Sequence, residues 1–176
     1  PVTAMQRTKA IGLLHKQVRK DSALSRQGIP DYLVTVRKLG DNPEPCAGPF
    51  TEFAGENPPA KTGDEIKDSI NIWQRYASPV WMDINPSDTL QYRSARANED
   101  ERHICPLQLE VIRRGLQLWS NPGDLVLSPF AGIGSEGHVS LKMGRKFVGF
   151  ELKPSYFNCA VKNLTAAESV KQTTLL

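Results

Sequence analysis

Two features of the sequence could together hold a nucleoside. One is the run Ser128-Pro129-Phe130-Ala131-Gly132-Ile133-Gly134-Ser135, which follows directly on an apolar segment; the other is Glu151, 19 positions after Gly132 at the end of the next apolar run. Glycines placed straight after a strand let the backbone turn tightly and let a ligand approach where a Cβ would otherwise stand. A carboxylate closing the following strand can accept both hydroxyl hydrogens of a ribose. A tight strand-to-helix turn and a surface glutamate would explain either feature alone. In this order and at this spacing, the two point to a nucleoside-containing ligand.

Gly132, Gly134 and Gly137 also satisfy G-x-G-x-x-G, which keeps a nicotinamide or flavin dinucleotide under consideration. Only 25 residues follow Glu151, too few for the further βαβ unit that dinucleotide domains place there, and the Pro129-Phe130 pair is foreign to that motif. Metal and disulfide chemistry have little to draw on. Cys46, Cys105 and Cys159 show no C-x-x-C spacing, so reduced thiols are expected, with no zinc site.

The elements that must position the loop lie in the last third of the chain. Pro106 suits a first helical position, and Leu107, Val111, Ile112, Leu116 and Trp119 recur on one face of the helix that follows. Asn121-Pro122-Gly123 ends it. Asp124 to Leu127 reads as a buried strand, a helix is expected from near Gly134 to Gly144, Lys146 to Phe150 reads as a second strand, and Pro154 opens a last helix through Tyr156, Ala160 and Leu164. Residues 169–176 form a tail with little pattern. This alternation implies an α/β fold with parallel strands.

The first hundred residues are less regular. Ala4 to Lys20 reads as a basic amphipathic helix with Ile11, Leu14 and Val18 on one face, and Tyr32 to Val36 reads as a third strand. Seven of the thirteen prolines fall between Pro43 and Pro86, so an irregular section is expected there, broken by a short helix over Asp64 to Tyr76. Trp73, Tyr76 and Trp81 are expected to be core aromatics first, with base stacking as the alternative use. The net charge of +3 implies no polyanionic partner by itself, but its distribution is uneven. Arg7, Lys9, Lys16, Arg19, Lys20 and Arg26 face a single acid, Asp21, before residue 27. They are candidate phosphate contacts, with a solvated helix face as the alternative. No apolar run is long enough to span a bilayer and no leader pattern opens the chain, so an intracellular location is expected.

The stretch from Asn121-Pro122-Gly123-Asp124 through Ser135 resembles the cofactor loop of the methyltransferases that modify exocyclic amines of DNA, adenine N6 or cytosine N4. Their usual pattern is a strand and then Asp-Pro-Phe-x-Gly-x-Gly-Ser/Thr. Arg102-His103-Ile104-Cys105-Pro106-Leu107 resembles the motif just before that loop in the circularly permuted subclass. Gly144 to Glu151 and Tyr156 resemble its continuation, and Met5 to Lys16 with Pro30-Asp31-Tyr32 resembles the phage-type, site-specific enzymes. The resemblance implies a partial Rossmann-like S-adenosylmethionine-dependent methyltransferase fold. Its cofactor site would be built from His103, Cys105, Pro106, Ser128, Pro129, Phe130, Gly132, Gly134, Ser135 and Glu151, with DNA as partner and no metal. Ser128 stands where the family has an aspartate, so a hydroxyl would accept from the cofactor's ammonium without charge assistance.

On this reading residues 1–40 carry a basic helix and strand, 41–100 an irregular insertion at the target-recognition position, and 101–168 the cofactor-binding part. The family's catalytic tetrad, Asp/Asn/Ser-Pro-Pro-aromatic, is approached only by Asn57-Pro58-Pro59-Ala60, which lacks the ring and is taken as a proline-rich turn. In the permuted subclass the tetrad precedes these motifs, so it is expected upstream on the same polypeptide, and the catalytic residues are unknown. Three strands are also few for a doubly wound sheet, which typically has about five or more. Two other classes stay open: a non-catalytic DNA-binding module with a vestigial cofactor pocket, and a dinucleotide-binding oxidoreductase.

Overall fold

The computed structural model describes residues 31–46, 48–55, 57–91, 95 and 106–173. The predicted helix over Ala4 to Lys20, the basic residues Arg7, Lys9, Lys16, Arg19, Lys20 and Arg26, and the site candidates His103 and Cys105 lie outside the described residues. The elements run α1 (Glu65–Tyr76), α2 (Leu109–Trp119), β1 (Leu125–Ser128), α3 (Ser135–Lys142), β2 (Lys146–Gly149) and α4 (Pro154–Thr173). β1 and β2 pair in parallel, with Leu125 opposite Lys146 and Ser128 opposite Gly149. Strand, helix and parallel strand make a βαβ unit, so the described fold is α/β.

The unit packs on one side. Val139 of α3 meets Ile112 and Leu116 of α2, with Leu109, Val126 and Met143 around them. Arg145, just before β2, is buried and donates to the backbone carbonyls of Leu116, Ser120 and Met143, tying the strand's start to the end of α2. The other face of the sheet is not covered by any described residue: Leu125 and Leu127 are 63% and 61% exposed. β1 is therefore not the buried strand expected. Its side chains alternate, Val126 and Ser128 turning toward the helices and the two leucines away.

Several other expectations are corrected. Tyr32 to Val36 forms no strand; it is irregular and exposed, because a strand exists only through a ladder and no described strand lies beside it. The described strands are therefore two rather than three. Pro106 does not open α2; the helix starts at Leu109, whose N–H donates to the Asp88 carbonyl 2.8 Å away, so the preceding Pro106-Leu107-Gln108 stays extended. Leu107 and Trp119 are exposed, and the buried face of α2 is instead Glu110, Ile112, Arg114 and Leu116. α4 runs to Thr173, past the expected start of the tail. α1 begins where its cap predicts: the Asp64 carboxylate accepts from the N–H groups of Ile66 and Lys67.

Residues 53–83 pack onto α2 around one cation. Arg114 is 1% exposed; it forks onto Asp83 at 3.1 and 2.9 Å, donates to Glu110 and to the Ala54 carbonyl, and lies over the rings of Phe53, Tyr76 and Trp81. Tyr76 stacks on Phe53 and its hydroxyl accepts from the Ala54 N–H. Of the three expected core aromatics, Tyr76 is buried, Trp81 half-buried and Trp73 about half exposed. Burial pushes the Glu110 carboxyl above its ordinary range, and the Arg114 charge opposes that rise. No described helix is long and apolar enough to cross a membrane.

Candidate cofactor site

The parallel register brings the ends of β1 and β2 side by side, and the loop and the acid emerge there together. Phe150 is bracketed by the turn: its N–H donates to the Ser128 carbonyl at 2.9 Å and its carbonyl accepts from the Ala131 N–H at 2.8 Å. That delivers Glu151 to the glycines. One carboxylate oxygen accepts from the Gly132 N–H and the other from the Lys153 N–H, each at 2.9 Å. Each carboxylate oxygen has a second lone pair for a ligand hydroxyl, so the acid can hold the loop and a sugar at once.

The glycines divide their work. Gly132 sits at φ +54° with nothing within 4 Å of where a Cβ would stand, so the space outside the turn is open to a ligand. Gly134, at φ +83°, caps α3, and a Cβ there would lie 3.1 Å from the Ala160 Cβ. At Gly137 a Cβ would run into the side chains of Leu164 and Phe147, so this third glycine serves helix packing. The G-x-G-x-x-G pattern is thus one turn glycine bordering open space and two that seat α3.

The structure brings together Ser128, Gly132, Gly134, Ser135 and Glu151. Ser128, Gly134 and Ser135 are buried, Pro129 is exposed, and Phe130 is 87% exposed at the loop's outer edge. Pro106 is half-buried ahead of α2. The open space where a Gly132 Cβ would stand and the carboxylate held at its N–H are the features that could take a sulfonium nucleoside. Asn57, in the one near match to the tetrad, has φ +61° and its carbonyl accepts from Arg75, so it is a turn held against α1.

Two supports of the loop escaped sequence reasoning. Asn163 of α4 donates to the Ile133 carbonyl at 2.8 Å, and its own carbonyl lies 3.2 Å from His138 Nδ1. Its signal was a polar residue on the inward stripe Tyr156, Ala160, Asn163 and Ala167. Lys153 lies 4.4 Å from the centre of the Tyr156 ring, fixing the start of α4 beside Glu151.

Glu136, in the first turn of α3, has its carboxyl pushed up by burial. A carboxyl raised in the folded state binds more protons than in the unfolded chain, so stability falls as pH rises from the unfolded value through the raised one. Glu136→Gln is therefore expected to flatten this slope and raise the urea midpoint near neutrality, read by denaturation between pH 4 and 8. A mutant slope equal to that of the wild type would contradict it.

The sequence model of the N6/N4 DNA methylase family matches residues 16–162. The DNA adenine methyltransferase YhdJ of Escherichia coli is 37% identical over 110 residues, which cover 61% of this chain and 37% of that protein. The type II methyltransferase M.BamHI of Bacillus amyloliquefaciens is 37% identical over 96 residues, 51% of this chain and 21% of its own length. A Thermus thermophilus DNA modification methylase solved with S-adenosyl-L-methionine shares 27% identity over 55% of this chain and 32% of its own, with a TM-score of 0.41. The chain thus spans well under half the length of the curated relatives it matches. With most of its residues inside the family match, the chain belongs to the N6/N4 DNA methylase family.

Proposed function

We propose that this chain supplies the cofactor-binding part of an enzyme that methylates an exocyclic amino group in DNA, adenine N6 or cytosine N4, using S-adenosylmethionine. The observation that supports the reading is the hydrogen bond from the Gly132 N–H to Glu151, which holds the glycine turn and the acid side by side. The bound cofactor supplies an activated methyl group. The chain's residues bind and orient it: Glu151 takes the ribose hydroxyls, the Gly132 turn lets the nucleoside lie close, and Phe130 and Ser128 border the methionine side. His103, Cys105 and Pro106 form the adjoining wall. The target amine is held by a Pro-Pro-aromatic tetrad on an upstream region of the same polypeptide. The enzyme works inside the cell, on DNA.

The described insertion bears on how DNA is met. Residues 41–91 hold nine carboxylates and three basic side chains, so phosphates are repelled there. If it occupies the target-recognition position, it reads bases, while phosphate contact falls to Arg7, Lys9, Lys16, Arg19, Lys20 and Arg26. A second reading, a non-catalytic DNA-binding module, is favoured by Ser128 and by the absence of a Pro-Pro-aromatic string from the sequence.

Calorimetric titration tests the proposal. S-adenosylmethionine is expected to bind and NAD not, and Glu151→Ala to weaken the cofactor about 10- to 100-fold, the worth of a hydrogen bond to a charged group. Tighter binding of NAD would overturn the choice of ligand. Methylated adenine or cytosine in DNA treated with the intact polypeptide separates the enzyme from the binding module.

A further inference from the structure

One strap connects the insertion to the back of the glycine turn. Asp83 is held by Arg114, a turn follows in which the Asp88 N–H donates to the Asn85 carbonyl at 3.2 Å, and Asp88 is then fastened twice. Its carbonyl accepts from the Leu109 N–H, and its carboxylate from Arg113 Nη2 at 2.7 Å, one turn further along α2. Among the described residues Arg113 Nε has no hydrogen-bond partner, so Arg113 holds Asp88 through Nη2. Beyond that point Leu90 packs against the buried cluster of Ile133 and Ala95, which Tyr156 and Cys159 also border; Ala95 is 1% exposed. Ile133 lies between Gly132, which faces the ligand space, and Gly134, which seats α3.

We propose that Arg113 is a positioning residue for cofactor binding: by gripping Asp88 it holds Leu90, two residues further on, against the cluster of Ile133 and so sets the curvature of the glycine turn. This rests on the reading of that turn as the S-adenosylmethionine site. Arg113 itself stands one helix away and touches no ligand. Its pair with Asp88 is about a third exposed on each side, so cutting it spares the fold in a way that cutting Arg114 does not.

The test uses the full chain with Arg113→Gln, Arg113→Asp, and the exchange of Arg113→Asp with Asp88→Arg. S-adenosylmethionine affinity by calorimetry is expected to fall about threefold in the first and about tenfold in the second, and to return most of the way in the exchange. The amide resonances of Gly132 and Gly134 in cofactor-free protein are expected to shift in Arg113→Asp and to move back in the exchange, which a general loss of stability would not produce. Wild-type affinity in both single variants, or an exchange as weak as Arg113→Asp, would overturn the proposal. A wild-type chain that binds no S-adenosylmethionine would overturn the underlying reading instead, and the two amide resonances would still decide whether Arg113 sets the turn.

Discussion

Gly132→Val is expected to weaken S-adenosylmethionine binding by about 100-fold or more while leaving the chain folded. Residue 132 sits at φ +54°, where a branched side chain costs roughly 1–3 kcal/mol of backbone strain. Relieving that strain rotates the Gly132 N–H away from Glu151 and breaks the 2.9 Å bond that joins turn and acid. Without relief, the new side chain enters space that is empty now, where the nucleoside would lie. Both routes remove the pocket, and each tenfold loss corresponds to about 1.4 kcal/mol. Gly137→Val is the contrasting case, because its side chain would meet Leu164 and Phe147 in the interior, so it is expected to lower stability first. Calorimetry paired with thermal melting separates the two. A Gly132→Val chain that melts normally and binds at wild-type affinity would place the cofactor elsewhere.

Arg114→Ala is expected to cost about 3–5 kcal/mol of stability, the range for breaking a buried ion pair by removing one partner. The guanidinium is almost wholly enclosed, and it is the charge between Asp83 and Glu110 as well as the centre of the ring cluster of Phe53, Tyr76 and Trp81. Its loss would leave two carboxylates facing each other and raise the Glu110 carboxyl further. Gly55 adds to the constraint, since a Cβ there would overlap the Arg114 guanidinium. Arg114→Lys is expected to rescue little, because an ammonium cannot fork onto Asp83 while stacking on the rings. Urea denaturation followed by Trp81 emission reads the change; the Trp81 indole donates to the Tyr76 carbonyl within the cluster. A loss under about 1 kcal/mol would mean that the insertion does not depend on this cation.

The contrast between these two sites shows what sequence pattern conveys. The glycine turn and Glu151 were readable because both are local: residue type and spacing after a strand determine them, and a parallel register does the rest. The short helix over Asp64 to Tyr76 was readable for the same reason. The Arg114 cluster was not. On a periodicity plot Glu110 and Arg114 fall between apolar positions and pass for the wet face of α2, and Arg114's partners Asp83 and Ala54 lie 31 and 60 positions upstream along the chain. Tyr32 to Val36 failed from the opposite side. Its β-branched, aromatic composition fits a strand, but a strand is a property of two segments, and no second one is described beside it. The same dependence left Leu125 and Leu127 exposed on a strand whose composition reads as buried.

The most direct measurement is backbone amide resonance mapping of the chain during titration with S-adenosylmethionine. Saturable shifts centred on Gly132, Gly134 and Glu151, reached in Glu151→Ala only at about 10- to 100-fold higher cofactor concentration, are the predicted result. Saturable shifts that leave those three amides unmoved and cluster elsewhere would contradict the account.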